Sequence, residues 1–315
     1  MGNCTKMCYV NEEVYQISRN EEFLIDIGFK NDEIQQPSTQ TRQKENKEDQ
    51  YSQCSNRSVL PHIIMSSDEK IVDQTIYSTI PVKLPRIMME GGSYYEGEWM
   101  QGKRWGQGEQ KWPDGSIYQG EWKNNQANGY GILIHPDGDL YKGEWLNDQA
   151  SGKGVYINYL SAQYDGDWIE DKQHGYGVEK WPDGSVFEGY YKEGQKEGFG
   201  KLTYPDGSRY EGNFLMNNLH GTGKYFWPDG RIYDGQWVAN QMEGNGTMTY
   251  IDGKQYIGEY KQGQKHGLGT YIWEDGHKYI GEWEMDKQHG VGEYFFINGT
   301  SQKGVWQNGK RIKWE

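Results

Sequence analysis

Tyr95-Glu96-Gly97-Glu98-Trp99 opens a 23-residue unit that recurs, without insertion or deletion, at Tyr118, Tyr141, Tyr164, Phe187, Tyr210, Tyr233, Tyr256 and Tyr279, with a partial copy from Gln302. A fixed period of roughly 20 to 50 residues marks a chain built from one supersecondary unit stacked on copies of itself, each burying its apolar face against its neighbours. Side chains alternate across a strand, so Tyr95, Gly97 and Trp99 share one face and Glu96 and Glu98 the other. The first face is aromatic; the second is acidic and is expected to look out to water. The same split recurs in Tyr118-Gly120-Trp122, Tyr141-Gly143-Trp145 and Tyr164-Gly166-Trp168, with Tyr191, Phe214 and Tyr260 standing where later units would carry Trp. A missing Cβ between two rings leaves room for a ring to lie over the backbone.

Outward from this stretch, a polar connection of about six residues, a usual loop length, leads to a second strand such as Gly106-Gln107-Gly108-Glu109-Gln110-Lys111-Trp112. Pro113-Asp114-Gly115 follows and recurs at Pro136, Pro182, Pro205 and Pro228. In it Pro presets φ and Gly supplies the positive-φ position of a tight hairpin. Each unit is therefore a hairpin joined to the next by another hairpin. The predicted fold is all-β, an elongated antiparallel meander with two strands per unit, on the order of 80 to 90 Å long at about 4.8 Å per strand. Dense glycine and a period of two exclude helices. In the third unit Asn158-Tyr159-Leu160-Ser161-Ala162 lacks Asp-Gly, so a different hairpin is expected there, either drift in a tolerant turn or a kink.

These residues resemble the MORN repeat family, whose units read approximately Tyr-x-Gly-Glu-Trp, then Gly-x-Gly, then Asp-Gly. The resemblance covers residues 95 to 315 as nine full repeats and a C-terminal partial cap. It implies a β-hairpin array used for scaffolding, dimerisation or contact with membranes. Plant phosphatidylinositol-phosphate kinases and some histone methyltransferases carry similar repeats before a separate catalytic domain. No such domain is expected in the chain as it reads to Glu315.

Residues 1 to 60 have the opposite composition, exemplified by the polar run from Gln35 to Gln50. Such a segment cannot bury enough apolar surface to offset its ordering entropy and is expected to be a disordered tail. Within it, the apolar cluster from Phe23 to Phe29 reads either as a short partner-binding motif or as a transiently collapsed patch. Residues 61 to 94 are expected to form a linker and an N-terminal cap against the first repeat. The start, Met1-Gly2-Asn3-Cys4-Thr5-Lys6-Met7-Cys8, resembles that of dually acylated proteins, with Gly2 as the myristoylation site and Cys4 and Cys8 as palmitoylation sites. It departs from that pattern at Lys6, where Ser or Thr is usual. Two acyl chains would anchor stably where one binds only marginally.

Residues 95 to 315 carry 23 Lys and Arg against 32 Asp and Glu, a net of −9 within a whole-chain −13. No basic stripe runs along the repeats to neutralise phosphates, which argues against nucleic acid. Lys310, Arg311 and Lys313 at the far end could touch an acidic lipid headgroup or another acidic surface, or cap the array in solvent. His174, His220, His266 and His289 occupy one repeated position, spaced too far apart in sequence to share a metal. The Gly-x-Gly pairs lack the strand-to-helix setting of a nucleotide site. No apolar run approaches the 18 or so residues that span a bilayer, and no secretory core is present at the start, so a cytoplasmic protein is expected. Neither a catalytic centre, a metal nor a cofactor is expected. The functional expectation is a scaffold for protein partners or for self-association in a cortical, ciliary or cytoskeletal assembly. The alternative is a membrane adaptor for acidic phosphoinositides, possibly accessory to a lipid kinase.

Overall fold

The computed structural model describes residues 76–315. The expected tail, the Phe23 cluster and the acylation candidates Gly2, Cys4 and Cys8 lie outside them. Twenty-one strands, β1 to β21 in chain order, pair antiparallel with their sequence neighbours in one open sheet. β2 (Tyr94–Met100) and β3 (Lys103–Lys111) form the first repeat, β4 (Ile117–Lys123) and β5 (Gln126–Ile134) the second, and so on. Seven-residue strands alternate with nine-residue ones throughout the array.

The connection inside each repeat is shorter than the sequence suggested. Two residues, such as Gln101-Gly102 or Asn124-Asn125, turn the chain with positive φ at both, the first always between 45° and 53°. This is the type I′ geometry whose twist matches that of paired strands. Lys103 to Trp105, read as part of the loop, are already strand.

Glycine sets the register. Gly97 pairs with Gly108, Gly108 with Gly120, Gly120 with Gly131, and the line continues unbroken to Gly304. Across each pair within a repeat lies that repeat's own leading ring. A Cβ on Gly97 would stand 2.7 Å from the Tyr95 hydroxyl, and one on Gly108 would overlap the same ring. The first glycine of each Gly-x-Gly has another task. Between the paired positions Gly120/Gly131 and Trp122/Ala127, the three residues Asn128, Gly129 and Tyr130 face the single Glu121. This is a bulge, and Gly129 takes it with φ of 106°. The bulge explains two further bonds. Tyr118 Oη donates to the Glu121 carbonyl at 3.0 Å, and the Glu121 carboxylate accepts the Tyr130 amide at 3.1 Å. Glu98, Glu144, Asp167, Glu259 and Glu282 do the same in their repeats. The expectation that all carboxylates look out to water therefore needs correcting: those in the Gly-Glu-Trp position fold back onto backbone left open by the bulge, while Glu96 is exposed.

The rings then stack edge to face along the whole array. Tyr95 meets Trp99 at 5.2 Å and Trp122 at 5.4 Å; Tyr118 meets Trp122 at 5.0 Å and Trp145 at 5.3 Å. The contacts continue to Trp306 and Trp314. Trp122, Trp145 and Trp168 also donate their indole N–H to the glycine carbonyl of the preceding repeat, at 3.1, 3.2 and 2.9 Å. Each ring thus binds two repeats together, in the geometry aromatic pairs prefer.

At the other edge, residues 112–116 close a hairpin in which the Gly115 amide bonds the Trp112 carbonyl and the Trp112 amide bonds the Ser116 carbonyl. The third repeat was expected to differ, and it does not. Ser161 takes the glycine's place with φ of 68°, and the same pair of backbone bonds joins Asn158 to Ser161 and Ala162. The Asn158 side chain accepts the amides of Leu160 and Ala162 at 3.0 and 2.8 Å, holding the turn that Asp-Gly holds elsewhere.

The ends of the sheet are blunted. β1 (Val82–Met88) pairs with β2 through a bulge between Leu84 and Ile87, and Pro85 within it removes a donor. Ile76, Leu84 and Met89 are buried at this end, where the Ile76 carbonyl accepts the Gly102 amide at 2.9 Å. β21 (Lys310–Trp314) closes the far side with exposed Lys310, Arg311 and Lys313.

Two substitutions test this account with opposite signs. Gly131→Ala drives a methyl into the Tyr118 ring and is expected to cost about 3 kcal/mol. Ser161→Gly relieves a left-handed L-residue and is expected to gain about 1 kcal/mol. Denaturant melts of the two variants check both.

Candidate functional site

The leading ring ladder is consumed by packing. Tyr95, Trp99, Tyr118, Trp122, Tyr141, Trp145, Tyr164 and Trp168 are all buried over Gly97, Gly120, Gly143 and Gly166 and offer no ring face to a ligand. Burial pushes the hydroxyls of the ladder tyrosines upward from the usual range, that of Tyr279 to about 12. They stay neutral donors.

A second aromatic row lies on the same face, nearer the Pro-Asp-Gly turns, and the sequence reading did not separate it from the first. It comprises Tyr225 and Trp227, then Tyr250, Tyr271, Trp273, Tyr294 and Phe296, with ring contacts at 4.6, 6.5, 4.7, 5.7 and 4.9 Å between successive partners of each repeat or of adjacent ones. His277 stacks on Trp273 at 4.4 Å. Tyr225 is buried, but Trp227, Tyr250, Tyr271, Trp273 and Tyr294 are half-buried and Phe296 is exposed. The signal was present as an aromatic-x-aromatic pair just before the turn in Tyr225-Phe226-Trp227, Tyr271-Ile272-Trp273 and Tyr294-Phe295-Phe296. Earlier repeats put Gln110, Leu133, Tyr156, Glu179 and Leu202 before Trp112, His135, Asn158, Trp181 and Tyr204, and the unbroken run of ring contacts goes from Tyr250 to Phe296 in repeats seven to nine.

Cations reach onto this face from the second residue after certain type I′ turns. Lys265 Nζ lies 5.6 to 5.9 Å from the ring centres of Tyr250, Tyr256, Tyr271 and Trp283. Lys196 occupies the equivalent place over Trp181, Phe187 and Tyr191 and is ion-paired with Glu179 at 2.7 Å. Arg104 sits 4.1 Å over Trp122, bonded to Gln110 and to the Asn125 carbonyl, and burial lowers its guanidinium to about 10. Such contacts strengthen as the cation is desolvated. Of the terminal cations, Arg311 is committed to Trp314 at 3.9 Å, while Lys310 and Lys313 are exposed on the last strand. They are not gathered into a pocket with other cations. His174, His220, His266 and His289 each precede a left-handed bulge glycine, and among the described residues no group of three His, Cys, Asp or Glu side chains is placed to hold a metal.

The opposite face is not uniformly acidic either. Ile257, Leu268, Ile280 and Val291 form a shallow apolar depression bordered by Glu293 and Lys303, and Tyr176, Tyr190 and Phe199 are exposed near the middle of the array.

The turns that flank the aromatic face are coupled from repeat to repeat. The Asp148 amide bonds the Ala127 carbonyl at 3.0 Å while its carboxylate accepts the Ala127 amide at 2.7 Å, and Asp171 repeats this on Ala150. Asn125, Asn217 and Asn240 make the same side-chain bond without a charge.

The MORN repeat family model matches residues 95–117, 118–140, 141–158, 164–186, 187–209, 210–230, 233–255, 256–278 and 279–301. This chain belongs to the MORN repeat family. The third match stops at Asn158, where the Asn-based turn begins. No curated protein matches the chain. Among solved structures, the TCP10 domain of Danio rerio CPAP shares 12% identity at a TM-score of 0.37, over 65% of this chain and 96% of that one. The TCP domain of SAS-4 from Drosophila melanogaster, solved with a proline-rich motif of Ana2, shares 10% at 0.24, over 79% and 99%. A virginiamycin B lyase from Staphylococcus aureus shares 11% at 0.15, over 71% and 84%. Likeness this distant transfers neither partner nor chemistry.

Burial raises the carboxyl of Asp171 above the usual range, against the bonds from Ala150 and Gln149. A folded-state value above the unfolded one means the protonated form favours folding: that contribution is present at low pH and lost as pH rises through the folded value. Asp171→Asn, which keeps the acceptor, is therefore expected to raise the melting temperature at pH 7, with the gain vanishing below roughly pH 4. Thermal melts of both proteins across that range check the sign.

Proposed function

We propose that the chain is a noncatalytic scaffold that takes protein partners on the ring face of repeats six to nine. One observation carries this reading: the rings of Trp227, Tyr250, Tyr271, Trp273, Tyr294 and Phe296, set on one face of the sheet yet left half-open or open to solvent, with the Lys265 ammonium among them. Aromatic side chains held in place present large contact area with little ordering entropy to lose, which is why they dominate the energetics of protein interfaces. The partner setting proposed is a cortical, ciliary or cytoskeletal assembly in the cytoplasm. Self-association edge to edge is disfavoured by Pro85 and the bulge at one end and by Lys310, Arg311 and Lys313 at the other.

The second reading is an adaptor on acidic phospholipids. What favours it is the Gly2 and Cys4 start together with exposed Lys310 and Lys313. The net −9 of the repeats opposes it.

Crosslinking mass spectrometry of the full chain in cells, paired with Trp273→Ala, separates the two. Crosslinks to partner proteins at Lys254 and Lys265 that fall at least about tenfold in the variant are expected, since a ring at the centre of an interface contributes that much or more. Partner-independent flotation of the chain on phosphoinositide vesicles, abolished by Gly2→Ala and untouched by Trp273→Ala, would give the adaptor instead.

A further inference from the structure

Repeat five, residues 187–209, departs from its siblings at several bonds at once. Its leading ring is Phe187, so no hydroxyl reaches the bulge carbonyl. The eight leading tyrosines of the other repeats all make that bond, from Tyr95 to Tyr279. Where Glu121 or Asp167 accepts the bulge amide, repeat five carries Tyr190, so no side-chain oxygen receives the amide of Phe199. The ring that Phe187 meets in the next repeat is Phe214, which has no N–H for the preceding glycine carbonyl, whereas Trp237 and Trp283 give theirs at 3.0 and 3.1 Å.

The two junctions of this repeat are not equal. Upstream, the Tyr191 hydroxyl and the Lys196 ammonium both bond Glu179, at 2.8 and 2.7 Å, and Lys196 lies 4.9 Å from the Trp181 ring centre. These bonds cross to β9 (Lys172–Lys180) and its turn and make good what the repeat lacks. Downstream, between β11 (Gln195–Thr203) and β12 (Arg209–Leu215), Phe187 and Phe214 meet ring to ring at 5.0 Å. There the Asn217 side chain, on the Lys196 amide at 2.8 Å, supplies the side-chain hydrogen bond. The backbone ladder itself is intact, pairing Gly198 with Phe214 through Thr203 with Arg209.

We infer that the array contains a weak joint between β11 and β12, at which it opens locally ahead of its flanks. In a repeat array stability is a sum of repeat and nearest-neighbour terms, so a junction with fewer bonds than those on either side of it opens ahead of them. The joint separates the upstream repeats from repeats six to nine, which carry the half-open aromatic row. It confines ordering caused by a partner on that row to the downstream half, and it holds whichever partner occupies the face.

Native-state hydrogen exchange of the full chain, read by mass spectrometry, tests this. Amides of residues 195–215 are expected to exchange at least about tenfold faster than those of the equivalent strands at 126–146. The variant Phe187→Tyr/Tyr190→Glu/Phe214→Trp, which restores the sibling residues, is expected to bring the two stretches within about twofold, on the same accounting. Phe214→Trp alone should slow exchange in the same stretch and gives a second reading should the triple variant fold poorly. Equal protection of the two stretches in the native chain, or rapid exchange at 195–215 that neither variant slows, overturns the joint.

Discussion

A tyrosine ring laid across two paired glycines, with its hydroxyl on a carbonyl freed by a bulge, is the constraint on which the rest of this sheet depends. Tyr118 over Gly120 and Gly131, bonded to the Glu121 carbonyl, shows all of it. Without the glycines the ring has no seat. Without the bulge its hydroxyl would be a buried donor with no acceptor, a costly arrangement. With both in place, the ring's edge and face are turned to Trp122 and Trp145, and each repeat is tied to its successor. Among the described residues no second sheet or helix covers this single-layer sheet, so this line of rings is its core.

The carboxylates and turns follow from the same bulge. Three residues facing one leave a backbone amide without a strand partner, and the Glu of Gly-Glu-Trp folds back to receive it. Type I′ turns then carry the chain into the next strand in the twist that the ladder requires, and their Asn or Asp side chains fasten one turn to the turn before it. Repeat five shows the logic by exception. It keeps the backbone ladder and the ring contact but loses the hydroxyl, the carboxylate and the downstream indole, replacing them on one side with Lys196 and Glu179.

The distinction between the two aromatic rows matters for function. The row that stands out in the sequence is structural and closed. The row that is open to solvent is less regular, is confined to the later repeats and carries the proposed interface. A regular period reports what each unit needs in order to stack; a surface that recognises something is free to vary from unit to unit.

By itself, the sequence determined the all-β meander, its 23-residue unit, the alternation of faces and the burial of the Tyr and Trp ladder, because a strict period of two within a strict period of 23 permits one register. The structure decided what depends on groups brought together across strands. It made Asn158 and Ser161 a substitute for Asp-Gly, turned Glu121 onto the Tyr130 amide, shortened the inner connection to two residues and gathered Tyr250, Tyr271, Trp273 and Lys265 into one face. The ring contacts join residues about one repeat apart and the Glu121–Tyr130 bond joins residues nine apart, and their geometry depends on a bulge and a twist that no local pattern of residue types specifies.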